Sequence, residues 1–209
     1  MKLINMMLSN RVNEFAAVIE KSICTNSSSL KIDLESALTQ VMAHLRKLKK
    51  ENHTLYLIGN GGSASVASHA LVDFANVAKI KTQVLHESAL ITCIANDYGY
   101  ENVYSQILST YITAHDMLIA ISSSGKSLNI RKVAQAAKER GAMVISLTGF
   151  NEYNPLRQLG DFNFWLNSTD YGYVEVGHQF ILHNLADRFA VEKMQAAQET
   201  EEERAAICV

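Results

Sequence analysis

Cysteine is scarce and scattered. Cys24, Cys93 and Cys208 stand far apart with no CxxC spacing, which excludes a disulfide framework and a thiolate metal site and suits a reducing cytoplasm. Charge of one sign is also missing. The formal net charge is −2, so nothing calls for nucleic acid or an anionic membrane as partner. No apolar run approaches the roughly 18 residues that would span a bilayer, and the first residues, broken by Asn5, Ser9 and Arg11, have no signal-peptide core. The single proline, Pro155, falls in the patternless stretch 150–160. Internal repeats and low-complexity linkers are absent. What remains is a globular, cytoplasmic chain of 209 residues, 48% hydrophobic and 19% charged, long enough to bury a substantial core.

Two amphipathic helices are expected first, over 1–24 and 31–51, joined by the polar loop Thr25–Ser29. Val12, Phe15, Ile19 and Ile23 recur at helical steps in the first, and Leu34, Leu38, Val41, Leu45 and Leu48 in the second. Arg46, Lys47, Lys49 and Lys50 read as a solvated helix end, where cations suit the dipole. Residues 1–52 thus form an assembly element, and 53–209 the main domain. From there strands (54–59, 82–85, 116–121, 142–147, 162–166) alternate with helices (63–77, 88–95, 101–113, 127–140, 173–202). Continuous apolar strands such as Met117–Ile121 and Met143–Leu147 are those of a parallel sheet covered on both faces. The expected fold is α/β, a doubly wound, mostly parallel five-stranded sheet flanked by helices. The glutamate-rich tail Glu199–Arg204 reads as a solvated helix end.

Two strand-to-helix loops carry the chemistry. After Leu55–Ile58 comes Gly59-Asn60-Gly61-Gly62-Ser63, where glycines let the backbone approach a ligand and Ser63 is an expected N-cap. A helix N-terminus there favours an anion. His69 and Asp73, four residues apart, share one face of the following helix. The second loop, Ser122-Ser123-Ser124-Gly125-Lys126-Ser127, adds hydroxyls and turn N–H groups matched to phosphate oxygens. Neither loop is GxGxxG or a P-loop, which argues against dinucleotide and ATP.

Together the loops resemble the phosphosugar signatures of the sugar isomerase (SIS) domain. Ile94-Ala95-Asn96-Asp97-Tyr98-Gly99-Tyr100 resembles a block of its phosphoheptose isomerase branch, and the likeness runs over about 54–190, through Ser146–Gly149 to the helix with Glu175, His178 and His183. The resemblance implies aldose–ketose isomerisation of sedoheptulose 7-phosphate in a homotetramer with interfacial active sites. It implies phosphate contacts at Ser63, Ser122, Ser124 and Ser127 and sugar contacts at Asn60, Asp97 and Ser123, with Gly61, Gly62 and Asn96 beside them. It further implies one Zn2+ held by His69, Asp73, Glu175 and His183, with Asp73, Glu175 and His183 catalytic.

The chain departs from that pattern at three places: Asp73 replaces glutamate, Glu175 replaces glutamine, and Val77 replaces arginine. Two imidazoles and two carboxylates make a better cation site than a set with a neutral amide. The general base is Asp73 or Glu175. Eight helical residues rise about 12 Å, so Glu175 and His183 cannot both reach one ion from one regular helix. Glu175 must precede the regular part, or a neighbouring subunit must supply one of the pair. His178 points elsewhere and reads as structural or as support to the site. The rival functions are isomerisation of another phosphosugar, and a non-catalytic SIS protein that binds phosphosugar or a replication initiator. Residues 1–50 are too short for an appended helix-turn-helix domain.

Overall fold

The computed structural model describes residues 6–207, the last eight by backbone alone, so Cys208 lies outside the described residues. Helices α1 (Leu8–Glu20) and α2 (Leu34–Lys50) flank a short hairpin of β1 (Ile23–Asn26) and β2 (Lys31–Ile32). Then follow β3 (Thr54–Gly59), α3 (Gly62–Asn76), β4 (Lys81–Gln83), α4 (Ser88–Tyr98), α5 (Ser105–Tyr111) and β5 (Met117–Ser122). The chain closes with α6 (Leu128–Glu139), β6 (Met143–Thr148), β7 (Phe162–Trp165) and the long α7 (Tyr171–Ile207).

The sheet has seven strands rather than five, in the order β2-β1-β7-β6-β5-β3-β4. The five expected strands are its parallel part. The addition is β1, antiparallel to β7 in the register Cys24↔Phe164, and β2 beside it. Helical periodicity had carried the first helix through Ile23 and placed Thr25 in a loop. Instead α1 ends at Glu20, and β1 covers the otherwise open edge of β7, burying Cys24 completely. That burial pushes the Cys24 thiol up to about 12. The expected loop survives as the hairpin turn, where Asn26 Oδ1 accepts from the N–H groups of Ser28 and Leu30. Within 150–160, where no pattern was visible, a 3-10 turn at Leu156–Gln158 buries Leu156.

Alternation along each strand sends side chains to opposite faces, and this builds two cores. Leu55, Leu57, Ile119, Ile121 and Leu147 face α2, α3 and α7. Tyr56, Ile58, Leu118, Ala120 and Val144 face α5 and α6. In α2, Asp33 caps the first turn through Ser36 N, and Ala37, Leu38, Val41, Met42, Leu45 and Leu48 form the buried stripe. By contrast α1 buries no residue fully. It is held to α7 by Arg11, which lies 2.8 Å from Asp170 and over the Tyr173 ring, and by a Tyr173–Glu14 hydrogen bond.

The order of strands positions the site. From β3 the chain steps outward to β4, then returns to the other side of β3 as β5. The loops leaving β3 and β5 therefore diverge at the point where strand order reverses, the crevice in which open α/β sheets bind ligands. None of the helices among the described residues is long and apolar enough to cross a membrane.

Candidate active site

A cavity of about 240 Å³ opens at that crevice, lined by both loops and by Tyr171 and Glu175 of α7. Helix α3 begins one residue before Ser63. Gly61 is the N-cap, so Ser63 lies inside the first turn, and no side chain caps that end. Helix α6 is likewise uncapped: Ser127 is its N-cap residue but its hydroxyl makes no capping bond. Two helix N-termini thus offer free N–H groups to one cavity, with the hydroxyls of Ser63, Ser122, Ser123, Ser124 and Ser127 around them. Ser123 Oγ is buried without a partner. Among the described residues no lysine or arginine lines the cavity, so the cradle they form relies on dipoles and hydrogen bonds. Its one charged side chain is acidic.

Glycine is needed at two points of this wall. The Glu175 carboxylate lies directly against Gly62, where a Cβ would collide with it. At Gly125, φ is +62°, and a Cβ would meet the amide of Asn154.

Three of the four residues expected to hold a metal converge. His69 and Asp73 project from α3 and His183 from α7, with a set of ligand atoms all within 4.8 Å of one another. Asp73 Oδ2 lies 3.1 Å from His183 Nδ1 and 3.7 Å from His69 Nε2, yet it is closed off from solvent and receives no well-aligned hydrogen bond. A buried, donor-less carboxylate oxygen between two imidazoles fits a divalent cation such as zinc. Glu175 does not join them. It lies within the regular part of α7, about 12 Å along the axis from His183. The route through an irregular start of that helix is therefore closed.

Asn96 and Asp97 stand exposed on α4, hydrogen-bonded to each other and away from the cavity. Asn60 lines the cavity, but its amide is engaged with Asn129 and lies near the hydroxyl of Tyr104. Asn129, Tyr104 and Tyr171 were not singled out by sequence. Only Asn129, closing the serine motif on the buried face of α6, left a trace there. His178 is fully buried, its Nε2 donating to the Thr148 carbonyl, and burial holds its pKa down to about 4. It is a neutral strut between α7 and β6.

Residues 14–149 match the family model of the SIS domain. That stretch holds both loops, His69 and Asp73, and stops short of Glu175 and His183. A phosphoheptose isomerase from Helicobacter pylori is 32% identical over 179 residues, spanning 81% of this chain and 93% of its own. One from Citrifermentans bemidjiense is 26% identical over 173 residues, spanning 80% and 90%. The solved structure of a phosphoheptose isomerase from Neisseria gonorrhoeae shares the fold, with a TM-score of 0.74 at 24% identity, covering 88% of this chain and 99% of that one.

Proposed function

This chain belongs to the SIS domain family, in its phosphoheptose isomerase branch, and on that footing we propose that it interconverts sedoheptulose 7-phosphate and glycero-manno-heptose 7-phosphate. The observation that carries the reading is an anion cradle at the start of α3 with a carboxylate, held between two imidazoles, further along that helix. The phosphate rests on the first turns of α3 and α6 and on the serine hydroxyls, which orient the substrate without taking part in bond making. Asp73 removes the proton from the carbon beside the carbonyl. The C–H electron pair becomes the double bond of the enediol, while the carbonyl oxygen takes a proton from solvent; His183, 3.1 Å from Asp73, positions that carboxylate. Proton return to the former carbonyl carbon, with loss of the proton of the neighbouring hydroxyl, gives the aldose. A zinc or similar ion held by His69, Asp73 and His183 would supply electrostatic stabilisation of the developing oxyanion.

The assembly in this proposal is a cytoplasmic homotetramer in which Glu175 of one subunit completes the cluster of another. It is supported by the apolar side chains that α1 and α7 leave exposed, among them Leu8, Val12, Val176 and Phe180. The product would enter the heptose units of a bacterial surface polysaccharide. NMR of sedoheptulose 7-phosphate with the protein, with and without EDTA, tests the reading. An aldose signal that EDTA abolishes is expected. No aldose under either condition would make the protein a binder, and an aldose signal indifferent to EDTA would remove the metal.

A further inference from the structure

The two phosphate loops are tied to each other behind the cradle by one pair of amides. Asn60 Nδ2 donates to Asn129 Oδ1 at 2.8 Å, and Asn129 Nδ2 donates back to Asn60 Oδ1 at 3.0 Å. The Tyr104 hydroxyl stands 3.1 Å from the Gly59 carbonyl and 3.2 Å from Asn60 Oδ1, so its single proton serves the first loop whichever acceptor takes it. Asn129 and Tyr104 are both buried and take no part in the cavity lining. Burial, with Tyr100 nearby, holds the Tyr104 phenol protonated up to about 12. Asn129 Oδ1 also accepts from Ile130 N in the first turn of α6. The chain thus joins Gly59 at the end of β3 to the first turn of the helix that follows β5.

From this we propose that Asn129 and Tyr104 are positioning residues that fix the separation of the two anion-binding helix ends and aim Asn60 into the cavity. An amide has two donor hydrogens. Asn60 spends one on Asn129, and its Oδ1 is occupied by Asn129 and by the tyrosine side. One N–H is left, and Asn60 lines the cavity, so that hydrogen is what the residue offers a phosphosugar. Asn60 is therefore a donor and not an acceptor toward the ligand. A displacement of well under 1 Å between two sets of N–H donors lengthens several phosphate hydrogen bonds together, because they weaken steeply with geometry.

The proposal rests on the phosphosugar reading of the cavity, and its test separates the two. Inorganic phosphate binding is titrated calorimetrically, and amide hydrogen exchange is followed at 59–64 and 122–130, in wild type, Asn60→Ala, Asn129→Ala, the double variant and Tyr104→Phe. Thermal unfolding of each variant confirms a folded protein. Asn129→Ala is expected to weaken phosphate at least tenfold and to speed exchange in both loops. The double variant should cost no more than about the larger single, since contacting residues are not additive. Tyr104→Phe should show the same pattern more weakly. In turnover, the Asn129→Ala loss should fall on KM rather than on kcat. Additive phosphate losses, or faster exchange confined to the mutated loop, would overturn the clamp. A wild type that binds no phosphate, but whose loops still exchange together, would refute the cradle and leave the clamp standing.

Discussion

Glu175→Gln should tighten phosphate binding. Among the described residues the cradle's only charged side chain is this carboxylate, and it lies against Gly62 at the N-terminal turn of α3, where an incoming phosphate must lodge. Two unit charges about 5 Å apart at an effective dielectric near 20 repel by about 3 kcal/mol. Glu175 is half-buried, so solvent screening cuts that to about 1–2 kcal/mol. At 1.4 kcal/mol per decade, the amide should lower the dissociation constant of inorganic phosphate about tenfold. The glutamine has the same shape and keeps a carbonyl and an N–H at the cavity wall, so packing against Gly62 is preserved. The assay is calorimetric titration of phosphate into metal-free protein at two ionic strengths. The advantage of the variant should shrink at the higher one. Equal or weaker binding by Glu175→Gln, at low salt and with unchanged thermal stability, would show that the carboxylate does not share the cradle with the phosphate.

Zinc should bind the demetallated protein, and Asp73→Asn should weaken it at least tenfold by calorimetry, since the amide replaces the only anionic ligand that the cluster has within one subunit; undiminished binding would place the metal elsewhere. His178 supplies a pH signature. Its native pKa, near 4, is depressed from 6.5, so the unfolded state takes up the extra proton between those values. The contribution to stability is complete above pH 6.5 and is lost as pH falls toward 4, by up to about 3 kcal/mol. Urea unfolding of wild type and His178→Gln across that window should diverge in slope, and parallel curves would contradict the buried neutral imidazole. Leu8→Glu with Val12→Glu, on the exposed face of α1, should dissociate the oligomer in light scattering and abolish isomerisation; a fully active monomer would refute the shared site.

What was legible in the sequence was whatever depended on near neighbours along the chain. The inner parallel strands β3 and β5 announced themselves because each is buried on both faces, so the apolar run is continuous and needs no partner to be recognised. The edge strand β1 did not. Ile19 and Ile23 keep a helical step, and only the register with β7, some 140 residues away, makes Ile23–Asn26 extended. The site divides along the same line. Glycine and serine at strand ends marked the loops, and the four-residue step marked His69 with Asp73. His183 needed the family resemblance, because no local pattern ties α7 to α3. The rotation of α7 about its own axis then decides that His183 faces Asp73 while Glu175 faces Gly62, eight residues earlier on the same helix. A spacing argument could exclude one regular helix from serving one ion twice, but it could not say which residue would stay with the cluster. Asp73 and Glu175, two of the three positions where this chain departs from the pattern it resembles, therefore sit at opposite ends of the site. The shortened carboxylate is at the cluster and the added charge is at the wall of the cavity. Neither compensates for the other within a subunit, and only packing of subunits can bring the two changes together.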